Sequence, residues 1–238
     1  MRRFTILSLA FASLRGCDTA APPSQEPRPN AVIEREASWE ELVAAVRSGK
    51  ADEIRLSGPV TPEQFRDLAT GCEGLTALVL GEARVRDEDL DVLPALPRLR
   101  WLKLPAPVGD EGAAAIARCE SLEILNLPEG VFSDAGLSEI AGLERLSLLR
   151  FGSPNVTDDG LKELARLPRL KFLHLLGVPV TDAGLKHVAA IGTLESFYLD
   201  GGRATDDGLR ALLGERPDLH FHKDQHHLPG DPNAHRHE

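Results

Sequence analysis

The chain has 238 residues, 42% hydrophobic and 27% charged, which is ordinary material for one sizeable folded domain or a small pair. A formal net charge of −10 argues against nucleic acid as a partner, because phosphate contact needs a basic surface. No apolar run reaches the roughly 20 residues of a spanning helix, and three cysteines are too few for a disulfide scaffold.

The first element is a leader. Arg2 and Arg3 precede an apolar stretch from Phe4 to Leu14, and no acid occurs before Asp18, the layout of an export signal. Its end, Leu14-Arg15-Gly16-Cys17, resembles a bacterial lipoprotein box, although Arg15 departs from the small or apolar residue usual there. That resemblance implies lipidation at Cys17 and a cell-envelope location; without it the chain is expected in the cytoplasm. Residues 18–37 carry Pro22, Pro23, Pro27 and Pro29 without apolar periodicity, so they are expected to form an extended, disordered linker.

A folded domain is expected over residues 38–222, with 38–56 as a cap-like first turn. Ser38-Trp39-Glu40-Glu41 has the capping-box pattern, and Trp39, Leu42, Val43 and Val46 then share one helical face. Short alternating segments follow: Ile54-x-Leu56, Leu78-x-Leu80, Leu102-x-Leu104, Leu125-x-Leu127, Leu149-x-Phe151, Leu173-x-Leu175, Phe197-x-Leu199 and Leu219-x-Phe221. Their first residues step by 24, 24, 23, 24, 24, 24 and 22, so the last turn reads as shortened. Between the segments runs a Thr-Asp-x-Gly-Leu phrase, clearest at Thr157–Leu161, Thr181–Leu185 and Thr205–Leu209. Period 2 predicts strands with leucines facing inward. Thr or Ser predicts a helix N-cap, and the Asp after it suits the positive end of the helix dipole. One such turn cannot bury its own apolar face, so neighbours must stack.

The pattern resembles leucine-rich repeats over roughly residues 50–222, and the Thr-Asp-x-Gly-Leu phrase resembles the ribonuclease-inhibitor-like and F-box-associated branch. The resemblance implies an α/β solenoid of about eight strand-turn-helix repeats, with a parallel sheet on its concave face. One feature departs from it. Where many such repeats carry the Asn or Cys of a hydrogen-bonded ladder, this chain has Ala83, Gly130, Pro154, Val178 and Gly202.

If the strand leucines point in, the residues beside them point out. One outward row then reads Trp101, Ile124, Leu148, Phe172. The other contains Lys103, Asn126, Arg150, His174 and Tyr198, with Asp200 the carboxylate nearest His174. An apolar stripe rimmed by polar groups, rich in Trp, Tyr and Arg, is the expected partner-binding surface.

Cys72 and Cys119 fall in apolar filler slots two turns apart, roughly 10 Å at about 4.8 Å per strand, too far for a disulfide. The column Asp87, Asp110, Asp134, Asp158, Asp182, Asp206 is explained by helix starts without a metal. Residues 223–238 form a His-rich tail expected to be flexible. His220, His222, His226 and His227 are metal-binding candidates, but without familiar zinc-site spacing, so no metal and no cofactor are assigned. No phosphate loop, nucleophile elbow or H-E-x-x-H motif occurs, so no enzyme is expected. The expectation is a monomeric, non-enzymatic protein-binding module of unknown partner, held to a membrane only by lipid. The alternatives are a soluble intracellular adaptor resembling ubiquitin-ligase substrate-receptor repeats, or metal binding through the tail.

Overall fold

The computed structural model describes residues 37–224 and His226. Cys17, the Pro-rich stretch to residue 36, and His227 with the rest of the tail lie outside the described residues.

Helix α1 (Trp39–Arg47) begins as its capping box dictates. The Ser38 N–H donates to Glu41 Oε2 at 2.8 Å, and the Glu41 N–H donates to Ser38 Oγ at 3.3 Å. Trp39, Val43 and Val46 are buried, and Leu42 packs partly against the same core.

Eight strands follow: β1 (Glu53–Val60), β2 (Ala77–Ala83), β3 (Trp101–Lys103), β4 (Ile124–Leu127), β5 (Leu148–Gly152), β6 (Phe172–Leu176), β7 (Ser196–Asp200) and β8 (His220–Lys223). They form one parallel sheet in chain order. The first inward row, Ile54, Leu78, Leu102, Leu125, Leu149, Leu173, Phe197 and Phe221, is 0% exposed throughout. The strands are joined by helices α2 (Pro62–Arg66), α3 (Asp110–Ala117), α4 (Asp134–Ile140), α5 (Asp158–Leu161), α6 (Asp182–Ala189) and α7 (Asp206–Glu215). Between β2 and β3 the connection is 3₁₀ over Asp87–Ala95, where Pro94 lacks the amide an α-helix needs. The fold is the leucine-rich-repeat solenoid that the period predicts.

The last turn differs from the sequence expectation. Phe197 pairs with Phe221 and Ser196 with His220, so the final step is 24 and not 22. Leu219 instead takes the role of the entering leucines, its N–H donating to the Arg216 carbonyl as the Leu194 N–H does to Ile191. Arg216 therefore occupies a slot that other turns fill with Cys or an aliphatic residue. Its guanidinium donates to the carbonyls of Ile191 at 2.9 Å and Leu194 at 2.7 Å, closing the preceding turn.

The absent Asn ladder is replaced by an aspartate ladder. Asp110 Oδ1 accepts from the Ser133 N–H at 2.7 Å and the Gly136 N–H at 3.0 Å, and Oδ2 from the Ser133 hydroxyl at 2.8 Å. Asp134 meets Thr157, Asp158 meets Thr181, and Asp182 meets Thr205 through the same backbone and hydroxyl pair. The helix-start position is as expected, but the carboxylate serves the following turn. That explains the glycine of the phrase: a Cβ at Gly136 would lie 2.6 Å from Asp110 Oδ1, and Gly160, Gly184 and Gly208 face Asp134, Asp158 and Asp182 likewise. Burial pulls the Asp110 carboxyl upward, but the hydrogen bonds from Ser133 and Gly136 outweigh it and leave it below its ordinary value. The ladder ends at Asp206, which accepts from Lys223 Nζ at 2.7 Å in place of a further threonine.

Candidate functional site

Register sets the outward rows. Trp101 pairs with Ile124, Ile124 with Leu148, and Leu148 with Phe172, so the four apolar side chains stand side by side across β3 to β6. Phe172 is 40% exposed, whereas Trp101, Ile124 and Leu148 are half-buried, a tighter row than a bare stripe. Part of the cover on Trp101 is Arg55, whose guanidinium carbon lies 4.3 Å from the ring centroid in a cation–π contact. The row is bounded by small buried residues, Ala77 at one end and Ser196 at the other.

The second row, Lys103, Asn126, Arg150, His174 and Tyr198, runs through the same pairings and is half-buried along its length. Its middle is a connected chain. Arg150 donates through Nη1 to Asn126 Oδ1 at 3.0 Å and through Nε to His174 Nδ1 at 3.2 Å. Arginine has no acceptor, so His174 Nδ1 carries the lone pair, and Nε2–H donates to Asp200 Oδ2 at 2.9 Å. Burial holds the His174 imidazole below its ordinary value, outweighing the upward pull of the Asp200 hydrogen bond, while Arg150 adds to the lowering. Burial likewise raises the Tyr198 phenol. At neutral pH the row thus presents the charges of Lys103, Arg150 and Asp200 around two neutral rings.

The structure brings all ten candidate residues of these rows to one face of one sheet. It also adds residues that the sequence reading left out. Arg55 lies between Ile54 and Leu56, so the same outward rule applies to it and carries the polar row to β1. His220 and His222 extend the two rows onto β8, pairing with Ser196 and Tyr198. With Leu219 opposite Phe197, as the sequence pattern suggests, His220 would instead lie beside Tyr198. The rings of His174, Tyr198 and His222 succeed one another, with centroids 5.5 Å and then 4.9 Å apart.

The metal candidates divide. His220 and His222 lie together, with Nε2 atoms 3.1 Å apart. The His226 Nδ1 sits 2.7 Å from the Asp224 carbonyl oxygen, and His227 is outside the described residues. Among the described residues no group of three His, Cys, Asp or Glu converges on a point. Cys72 and Cys119 are buried free thiols; burial pushes the Cys119 thiol up to about 12, against a weaker pull from Arg118.

No protein-family model matches the sequence, and no curated protein matches it. Among solved structures the chain is similar to an internalin C2 from Listeria monocytogenes, at 23% identity and a TM-score of 0.56, over 82% of this chain and 88% of that one. It is also similar to an internalin inlF from the same organism, at 18% identity and a TM-score of 0.47, over 70% of this chain and 53% of that one. The first likeness is one of fold.

Proposed function

We propose that this chain is a protein-binding solenoid that engages its partner through the outward face of the sheet. The observation that carries this reading is the alternation of constancy and change along the strands. The inward positions are aliphatic or phenylalanine at every turn, whereas the outward rows change identity at each one, from Trp to Ile to Leu to Phe and from Lys to Asn to Arg to His to Tyr. A row serving only sheet stability has no reason to vary its chemistry so widely, and solenoids offer such extended surfaces for recognition. Half-buried aromatic and arginine side chains beside satisfied polar groups are the composition of interface hot spots.

The second part of the proposal is export and tethering. Support comes from the leader and the lipobox-like Cys17, with the proline-rich stretch acting as a spacer. Among the described residues no helix is long and apolar enough to cross a membrane, so attachment would rest on lipid.

Two experiments test these parts separately. A photo-crosslinking residue at Ile124 should capture a protein in the native cell, and adding Trp101→Ala with Phe172→Ala to that chain should abolish the capture while the fold survives. Undiminished capture by the double variant would remove the face assignment. Mass spectrometry of the native N-terminus should find an acylated Cys17; an intact Met1 would return the chain to the cytoplasmic adaptor reading.

A further inference from the structure

We propose that His220 and His222 form a chelating pair for a divalent transition-metal ion of the copper, nickel or zinc class. Alternation along β8 sends both imidazoles to the outward face, while Phe221 between them is fully buried and anchors the strand. Their Nε2 atoms converge to 3.1 Å. Two nitrogens each bound at about 2.0–2.1 Å to one ion, in adjacent coordination positions, stand roughly 2.9–3.4 Å apart. The observed separation falls inside that span, so an ion can replace the imidazole–imidazole contact with little movement of either ring.

The pair is held from the side. Tyr198 stacks on His222 with centroids 4.9 Å apart and planes at 25°, and meets His220 nearly edge-on at 5.9 Å. The His220 and His222 rings are themselves 4.7 Å apart at 67°, an arrangement that points both nitrogens at one place without stacking the rings flat. Imidazole is a borderline-soft ligand, which selects copper, nickel and zinc over calcium and magnesium. Among the described residues no third His, Cys, Asp or Glu converges on the pair, so these residues supply two imidazole ligands to the ion's coordination shell.

The test uses the full chain without an affinity tag, titrated with Cu²⁺ and with Zn²⁺ by calorimetry. One ion per chain is expected, with Cu²⁺ bound more tightly than Zn²⁺. Each of His220→Gln and His222→Gln should weaken binding by at least about tenfold, since loss of even an outer-shell partner costs that much. A variant with alanine at His226, His227, His235 and His237 should keep the affinity. Electron paramagnetic resonance of the copper-loaded wild-type chain gives a readout independent of any substitution, and should show coupling to two imidazole nitrogens that falls to one in either glutamine variant. Absence of binding would overturn the proposal. So would binding that survives both glutamine variants and is lost with the four alanines, which would put the ion on the tail.

Discussion

The aspartate ladder and the outward face of the sheet repeat at the same interval, yet they behave oppositely from turn to turn. In the ladder the residue types hardly change: Asp, then Ser or Thr, then Gly, because every group closes on its neighbour one turn away. On the sheet face the strand pairing is equally regular while the side chains differ at each turn. Constancy within one chain marks positions whose partner is the chain itself. Variation marks positions where stacking demands no one residue type at every turn, even where neighbours such as Arg150 and His174 meet. This internal contrast needs no other sequence for comparison, and it separates what holds the solenoid together from what it can present.

The contrast can be broken first at the ladder. Gly184→Val forces a branched side chain against Asp158 and Val180, and should cost about 2–3 kcal/mol by urea denaturation. Asp158→Ala leaves the Thr181 N–H and hydroxyl without their acceptor, an expected loss of about 1–2 kcal/mol. If either change proved neutral, the ladder would be decorative and the distinction between the two regions would fail. On the sheet face, Lys103→Ala and Phe172→Ala should each change stability by less than about 1 kcal/mol while weakening partner capture.

Acid should reach the face first, as pH falls below the ordinary imidazole range and the unfolded chain protonates His174 ahead of the folded one, and the ladder later, in the carboxylate range. The folded pKa values of Asp110 and Asp182 lie below their unfolded values, Asp182 chiefly through the backbone and hydroxyl bonds from Thr205. The unfolded chain therefore takes up protons first as pH drops. The stabilisation is complete above about pH 4 and is lost as pH falls through the folded values. Urea midpoints measured from neutral to acid should follow that limb, and Asp110→Ala should flatten it. The smallest effect concerns the thiols. Cys119, buried and with its pKa pushed up to about 12, should resist a thiol reagent at neutral pH until the chain unfolds, whereas labelling at the unfolded rate in native buffer would contradict its burial.

Much of the site was legible because strand alternation is a local rule. Once Leu102 and Leu104 are inward, Trp101 and Lys103 must be outward, and the interval of 23 or 24 residues carries the rule to each later turn. The rule failed at the last turn, where the sequence reads Leu219, not Phe221, as the first inward residue. Two apolar residues two positions apart satisfy the same alternation, and only pairing with Phe197 chooses Phe221. That choice sets His220 beside Ser196 and His222 beside Tyr198, while their outward side follows from alternation in either register. The aspartates were legible as helix starts, but not as acceptors for the next turn, because a dipole argument looks along one helix and the partner lies on another.

By itself, the sequence determined the period, the inward leucines, the capped helices and the identities on the outward rows. All of these follow from spacing within a few residues and from the need to bury one face. The tertiary structure decided what lies beside what across a turn: the carboxylate of Asp110 on Ser133, Arg55 over Trp101, Arg216 over the carbonyls of Ile191 and Leu194, and the two imidazoles of β8 at contact. Such contacts depend on the offset with which one turn stacks on the next. That offset is set by packing of the whole core, so no single repeat encodes it.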